Sequence, residues 1–203
     1  MSQALGADME GAQFAFWNPQ GAEAHRKILV MKEAPVLQIR TATSEDADAI
    51  LGCLASAFAA YRNEYTSQGF ADTVLSQSSL QRRMKEMQLF VAVWEGDVVG
   101  TIGCQINGKE GHLRGMAVVP DQQGKGVAVA LLRAVENHLR DHHCELITLD
   151  TTLPLKRATR FYEKHGFVPS GRISDFFGMP LYEFVKVLTA TLTRLRRLTA
   201  IAV

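Results

Sequence analysis

Cysteine is scarce in this chain of 203 residues, and its three cysteines, Cys53, Cys104 and Cys144, lie far apart in the sequence. An odd and widely spaced set of this kind fits neither a disulfide framework nor paired zinc ligands. The N-terminus lacks a basic start followed by an apolar stretch, so it does not resemble a secretory signal. Together these absences predict a protein of the reducing cytoplasm.

Long apolar runs are also missing, and none approaches the length of about 20 residues that a membrane-spanning helix needs. Neither sign of charge predominates, because 22 lysines and arginines face 21 aspartates and glutamates and leave a formal net charge of +1. Proteins that hold nucleic acid through its phosphates need a positive excess or a local basic patch. We therefore expect neither a membrane nor a nucleic acid as partner.

The hydrophobic pattern divides the chain into three parts. Residues 1–35 are rich in Gly and Ala without sustained periodicity and are interpreted as an N-terminal extension. Strand and helix patterns follow over residues 36–188, a length that suits one α/β domain. Residues 189–203 carry leucines at helical spacing among arginines, and we expect this C-terminal tail to fold onto the domain or onto a second copy.

The periodicity within the domain predicts a mixed α/β fold, with a central mixed sheet of six to seven strands flanked by about four helices. An antiparallel meander over residues 89–119 precedes a glycine-bearing loop and a long helix. Residues 63–78 are polar and turn-rich and are predicted to form a loop. The helix after that loop is expected to turn Arg82, Arg83 and Lys85 outward.

The loop after the meander is the most informative stretch, because a strand ending at Pro120 runs into glycines that open a helix. Free backbone N–H groups and the macrodipole at a helix start together bind a pyrophosphate. A Walker A loop is excluded by Val119, which stands where that pattern needs its first glycine. A dinucleotide fingerprint lacks its third glycine at Val129 and is favoured only weakly by Asp150 further on.

Two segments of the chain resemble one known family. The stretch Gln123-Gly124-Lys125-Gly126-Val127-Ala128 resembles the Q/R-x-x-G-x-G/A signature of the GCN5-related N-acetyltransferases (GNAT), and the preceding residues 116–120 resemble that family's fourth strand. Residues 158–167 resemble its A-x-x-F-Y-x-x-x-G-F segment. Both motifs occur in the family's order, and the resemblance extends over residues 37–188.

The resemblance implies a GNAT-like domain that uses acetyl-CoA as co-substrate, without a metal, in a cleft where the fourth and fifth strands splay apart. The cofactor-binding residues that it implies are Met116, Ala117, Val118, Gln123, Gly124, Lys125, Gly126, Val127, Ala128 and Val129. Leu155 departs from the family, because many members carry Asn at this position. The family commonly forms dimers, so the resemblance also allows a homodimer.

The implied reaction is direct acetyl transfer to a primary amine of a small molecule or a protein, which needs a general acid and a neutral nucleophile. Tyr162 matches the tyrosine that commonly protonates the departing CoA sulfur in this family. Glu110 is the first candidate for the base, and His112 and Asp150 are alternatives. The segment from Tyr61 to Leu80, with Arg62, Glu64 and Tyr65, is a candidate for choosing the acceptor or is ordinary loop surface.

Other functions stay open at this point. A catalytically silent acyl-CoA-binding regulatory module would keep the fold and the loop, and a nicotinamide dinucleotide enzyme would use the same loop for another pyrophosphate. His138, His142, His143 and Cys144 are the nearest approach to a metal cluster, but they lack the H-E-x-x-H pattern and are interpreted as a polar helix end. No cysteine has a recognisable catalytic partner.

Overall fold

This computed structural model describes residues 36–188. They fold around a central seven-stranded sheet. The strands are β1 (Gln38–Thr41), β2 (Gln88–Trp94), β3 (Asp97–Asn107), β4 (Glu110–Val118), β5 (Leu146–Thr152), β6 (Val168–Phe176) and β7 (Met179–Val187). The helices are α1 (Ala47–Phe58), α2 (Ser67–Thr73), α3 (Gln77–Glu86), α4 (Val127–Asp141) and α5 (Lys156–Lys164). The interpretations of residues 1–35 and 189–203 lie outside the described residues.

The strand order is β1-β2-β3-β4-β5-β7-β6. Strands β2 to β4 form an antiparallel meander, β1 pairs antiparallel with β2, β4 and β5 pair in parallel, and β7 pairs antiparallel with both β5 and β6. A parallel pair requires a crossover connection, and α4 provides it between β4 and β5. The predicted mixed sheet and the predicted meander are confirmed.

Helix α2 was not expected, because residues 63–78 were predicted to be a loop. The helix has only seven residues, and its sequence SQGFADT carries no apolar repeat that would indicate a helix. Its start is nevertheless stabilised by a cap, since the hydroxyl of Thr66 accepts a hydrogen bond from the N–H of Gly69. Five helices therefore lie in the described part of the chain, where about four were predicted.

Apolar residues are buried on both faces of the sheet. On one face, α4 contributes Leu131, Val135 and Leu139, which are fully buried against strand residues such as Ile102 and Ile147. On the other face, α1 and α3 bury Ile50, Leu54 and Leu80 against Leu89 and Val91. Because side chains alternate along a strand, consecutive residues of β2 supply the two cores in turn. Two helical layers thus hold the centre of the sheet between them.

Gly111 in β4 lies directly under α4, where a Cβ atom would stand 2.4 Å from Cδ2 of the buried Leu139. We expect Gly111→Ala to lower the free energy of unfolding by about 1–3 kcal/mol, because overpacking a filled core forces side chains or backbone to shift. Urea denaturation measures this change. The control is Gly52→Ala in α1, which meets no atom within 4 Å and should raise stability by about 0.5–1 kcal/mol through helix propensity. Equal stability of the two variants would contradict the packing.

Candidate functional site

The parallel pairing of β4 with β5 ends inside both strands. The register joins residues 110–113 to residues 146–149, and no ladder continues between the strands beyond Leu113 and Leu149. Strand β5 remains paired with β7 as far as Thr152, and β4 remains paired with β3 as far as Val118. The two strands therefore belong to diverging halves of the sheet, which agrees with the splayed cleft that the family resemblance implies.

A β-bulge lies in β4 at the point of divergence. Between the pairs Thr101–Ala117 and Gly103–Arg114, Gly115 and Met116 oppose the single residue Ile102. Gly115 has a φ of +67°, a left-handed conformation that suits glycine. A bulge bends its strand and redirects a side chain. Here it accompanies the placement of Met116 in the lining of two neighbouring cavities.

The glycine loop between β4 and α4 presents unused backbone donors. Gly124 and Gly126 have φ values of +81° and +87°, and a Cβ on either would meet no atom within 4 Å. The left-handed backbone and the open space in front of it thus favour glycine at both positions. Within residues 36–188, the amides from Gly126 to Val129 find no acceptor, as the first turn of a helix leads one to expect. This row of donors is suited to an anion.

The smaller cavity, of about 410 Å³, lies in front of this loop. Of the predicted cofactor-binding residues, Met116, Ala117, Val118, Gln123, Gly124, Gly126, Ala128 and Val129 line it. Lys125 is exposed outside the lining, and the side chain of Val127 is buried in the core, so Val127 faces the loop only through its backbone. Gln123 uses its side-chain amide to donate to the carbonyl oxygen of Val118 at 3.0 Å, which ties the loop to the end of β4.

Tyr162 of α5 lines both cavities. Its side chain is 7% exposed, and its hydroxyl donates to the sulfur of Met116 at 3.4 Å. The ring packs edge-on against Phe161 and Phe167. Burial raises the pKa of the Tyr162 phenol, because the charged phenolate is poorly solvated there. The phenol consequently keeps its proton at neutral pH.

The larger cavity, of about 810 Å³, lies on the other side of Tyr162, between the diverging ends of β4 and β5. Helix α2 and the hairpin between β6 and β7 form one side of this cavity, and hydrogen bonds join the start of α2 to the hairpin and to β5. Thr66 donates to the carbonyl oxygen of Phe177 at 3.0 Å, and the Tyr65 hydroxyl lies 2.6 Å from that of Thr152. Among the segment residues singled out in the sequence, Tyr65 lines this cavity, whereas Arg62 and Glu64 do not.

A chain of hydrogen bonds runs from Glu110 through Thr148 to His112, which lines the larger cavity. The Thr148 hydroxyl donates to Oε1 of Glu110 at 2.5 Å, and Nδ1 of His112 lies 2.9 Å from the same hydroxyl oxygen. Because the hydroxyl has a single proton and gives it to the carboxylate, Nδ1 of His112 must be the donor in the second bond. The lone pair of a neutral His112 therefore resides on Nε2.

Asp150 stands opposite that nitrogen, with Oδ2 at 3.7 Å from Nε2 of His112. Desolvation raises the pKa of Asp150, and His112 acts against this shift. Both side chains line the larger cavity, whereas Glu110 does not. Of the three candidates for the base, His112 and Asp150 thus lie together at the cavity wall. Glu110 lies away from the cavity and reaches His112 only through the Thr148 hydroxyl.

Two buried threonines of β5 offer a test of these contacts. Replacing Thr148 with valine should lower the free energy of unfolding by about 1–3 kcal/mol, because it leaves the Glu110 carboxylate and Nδ1 of His112 without their hydrogen-bond partner. The Thr151 hydroxyl is buried without a hydrogen-bond partner among the described residues, so Thr151→Val should raise stability by about 1 kcal/mol. Denaturant unfolding of both variants makes the comparison, and destabilisation by both would contradict the hydrogen-bond assignment.

Arg83 corrects an expectation from the sequence. It was predicted to face outward with Arg82 and Lys85, but it is half-buried and lines the larger cavity. The periodicity of apolar residues in α3 could not predict this position, because the surface that Arg83 contacts is formed by two other elements, β4 and α2. Arg114 and Asp72 also line the cavity and were not singled out in the sequence.

The histidines at the end of α4 do not form a metal centre. The rings of His138 and His142 contact each other with centroids 4.2 Å apart and an interplanar angle of 43°, and Cys144 is buried in the core. Burial lowers the pKa of His138. Within residues 36–188, no group of three or more His, Cys, Asp or Glu side chains is arranged to hold a metal ion. In the same range, no helix is both long enough and apolar enough to span a membrane.

Two bacterial proteins are similar to this chain in sequence. The Bacillus subtilis uncharacterized protein YdhI is 35% identical over 86 residues, 42% of this chain and about half (52%) of YdhI. The aminoalkylphosphonate N-acetyltransferase of Salmonella typhimurium is 27% identical over 146 residues, which cover 67% of this chain and 88% of that protein.

Solved structures show the same fold. The ribosomal-protein-S18-alanine N-acetyltransferase of Escherichia coli superimposes with a TM-score of 0.64 at 17% identity, covering 77% of this chain and 96% of the other. The PaiA N-acetyltransferase of Thermoplasma acidophilum, solved with coenzyme A, also has a TM-score of 0.64 at 17% identity, covering 75% and 99%. Residues 53–167 match the acetyltransferase (GNAT) family, which confirms the predicted family and enzyme class. Because this match covers more than half of its length, the chain belongs to the acetyltransferase (GNAT) family.

Proposed function

We propose that the protein moves the acetyl group of acetyl-CoA directly to a primary amine of a small molecule or a protein. The observation that carries the proposal is the position of Tyr162, a buried phenol shared by two cavities. The smaller cavity is bordered by the free amides of the glycine loop, and the larger one by His112 and Asp150. A transferase that joins two substrates needs such a meeting point, with an acid where they touch.

The smaller cavity is assigned to acetyl-CoA. The amides from Gly126 to Val129 would hold its pyrophosphate, since they have no acceptor within the described part of the chain and lie at the positive end of α4. Among the described residues, the edge of β4 from Met116 to Val118 has no partner strand on the side of β5, and it would pair with the pantetheine arm. When bound there, acetyl-CoA supplies a thioester-activated acetyl group.

The base in this proposal is His112, with Glu110 as a positioning residue. Nε2 of His112 accepts a proton from the ammonium group, and Asp150 stabilises the resulting imidazolium. The amine nitrogen then attacks the thioester carbonyl carbon and forms the amide bond as the C–S bond breaks. Tyr162 gives its proton to the departing sulfur, and the second proton that the nitrogen loses passes to the Tyr162 phenolate, so that the products are the amide and the CoA thiol. Glu110 acts through Thr148 by keeping the proton of His112 on Nδ1.

Glutamine variants separate the two base assignments. His112→Gln should lower kcat by about 100-fold or more, in line with the loss of a general base. Glu110→Gln retains an oxygen that accepts the Thr148 hydrogen bond and should lose less than about tenfold. Steady-state thiol release with a fixed amine measures both. A Glu110→Gln variant as damaged as His112→Gln would assign the base to Glu110 instead.

The names of the relatives leave both acceptor types open. The Salmonella relative is named for an aminoalkylphosphonate, and the Escherichia coli structural neighbour for a protein alanine. A catalytically silent acyl-CoA-binding module would need the glycine loop but not the ordered His112, and the comparisons do not support it.

Thermal unfolding in parallel with acetyl-CoA, CoA and NAD tests the function first, because a ligand that binds only the native state raises the midpoint. We expect a rise with both CoA species and none with NAD, followed by release of free thiol from acetyl-CoA when amines are supplied. No rise with either CoA species from folded protein would overturn the proposal. A rise without thiol release across an amine panel would favour the silent module, and a rise with NAD alone a dinucleotide enzyme.

A further inference from the structure

Two arginines on the wall of the larger cavity contact the same residue, Asp72. Arg114 of β4 forms an ion pair with Asp72 of α2. Arg83 of α3 donates to the backbone oxygen of Asp72 at 3.3 Å, and among the described residues no carboxylate lies within 4 Å of its guanidinium. Both arginines and Asp72 line the cavity. This corner of the cavity therefore carries an excess positive charge.

The environment of Arg83 makes that charge costly without a ligand. Its guanidinium is half-buried, and desolvation together with the like charge of Arg114 lowers the pKa of Arg83 to about 10. A charge removed from water is unfavourable unless it is paired, and an arginine offers five donors of which this one uses a single described bond. An anion in the cavity would offset the cost.

The amine end of the cavity lies next to this corner along the same strand. His112 and Arg114 are two residues apart in β4, so their side chains leave the same face at backbone positions about 7 Å apart. Asp150 faces His112 at 3.7 Å and attracts a cation, whereas Arg83 and Arg114 attract an anion. The wall thus offers sites of opposite charge at neighbouring positions on one face of β4.

We propose that the acceptor is a small amino acid-like zwitterion, whose carboxylate or phosphonate binds Arg83 and Arg114 while its primary amine faces His112. The inference rests on the proposed function and narrows its acceptor. Guanidinium groups bind planar and tetrahedral oxyanions through paired, charge-assisted hydrogen bonds, so both anions fit. Helix α2 and the β6–β7 hairpin bound the cavity from above, which suits a small molecule better than a protein chain.

Acidic amines and their neutral counterparts test the inference. The wild-type protein is supplied with acetyl-CoA and a panel of amino acids and aminoalkylphosphonates, each beside its amide or ester. We expect kcat/KM for at least one acid to exceed that for its neutral counterpart by about tenfold or more, the effect of a hydrogen-bonded charge pair. The carboxylate and phosphonate arms distinguish the two anions.

Variants of neighbouring arginines locate the preference. Arg83→Met removes the charge with little loss of apolar volume and should abolish the preference for acids, whereas Arg82→Met on the exposed side of α3 should keep it. Arg83→Lys, which keeps the charge without the paired donors, should keep part of the preference and serves if Arg83→Met does not fold. The acetyl-CoA-induced rise in unfolding midpoint should be the same in all these variants.

The outcomes separate this inference from the function on which it rests. Absence of any CoA-induced rise removes the function itself. A normal rise with equal turnover of acids and neutral amines, or an acid preference that survives in both Arg83→Met and Arg83→Lys, overturns the zwitterion inference alone. The same holds if no acidic amine of the panel either reacts or raises the unfolding midpoint of the CoA-loaded protein.

Discussion

Replacing Tyr162 with phenylalanine should lower kcat by about 100-fold or more and leave the affinity for acetyl-CoA within a few-fold of the wild type. The ring would keep its contacts with Phe161 and Phe167, so the fold and the cavity walls should be preserved. Only the hydroxyl is lost, together with one hydrogen bond to the sulfur of Met116. The thiolate would then leave without a proton donor, which raises the barrier of the chemical step.

The measurement is single-turnover thiol release beside a binding titration with CoA, which separates the chemical step from binding. The matched control is Tyr182→Phe in β7, where the tyrosine packs beside the core and lines neither cavity. That variant should retain wild-type turnover. Unchanged turnover in Tyr162→Phe would remove the acid assignment, and equal loss of binding and turnover would indicate a packing role.

Replacing Gly126 with glutamate should raise the Kd for acetyl-CoA by about 100-fold or more and remove the CoA-induced rise in the unfolding midpoint. Gly126 has a left-handed backbone and open space at its Cβ position, so the new side chain would project in front of the free amides of α4. Its carboxylate would occupy the place of an anion and repel the pyrophosphate.

Backbone strain accompanies this substitution, and the control must carry the same strain. Gly171 in β6 has a φ of +85° and no atom within 4 Å of its Cβ position, and it lines neither cavity. Gly171→Glu should therefore cost similar stability and retain the affinity for CoA. Retained affinity in Gly126→Glu would mean that the glycine loop does not hold the cofactor.

The strands, the long helices and the glycine loop were all predictable, because each leaves a local mark. The meander shows alternating residues interrupted by turns, and α4 shows one apolar face after the glycines at 124 and 126. Helix α2 left no such mark. It begins at the Thr66 cap, and at Gly69 it passes so close to Phe176 that an added Cβ would stand only 3.3 Å from the ring, although these two residues are more than a hundred positions apart.

Some residues of the candidate site were likewise predictable from the sequence, and others were not. Tyr162 and the residues of the loop belong to continuous motifs, so the chain order alone identified them. The arrangement of Glu110, Thr148 and His112 depends on which residues of β4 and β5 pair, and that register is set by two strands more than thirty residues apart. No local pattern could therefore show that Glu110 lies behind His112.

Arg83 shows most clearly what a sequence pattern cannot predict. A helix pattern distinguishes apolar from polar faces, and arginine counts as polar whether it meets water or the wall of a cavity. The side chain became part of a wall because β4 bulges at Gly115 and α2 closes over it. Local residue chemistry thus specified the elements, the glycine loop and the proposed acid, whereas long-range packing placed the proposed base and the two arginines, because their positions depend on contacts between distant segments.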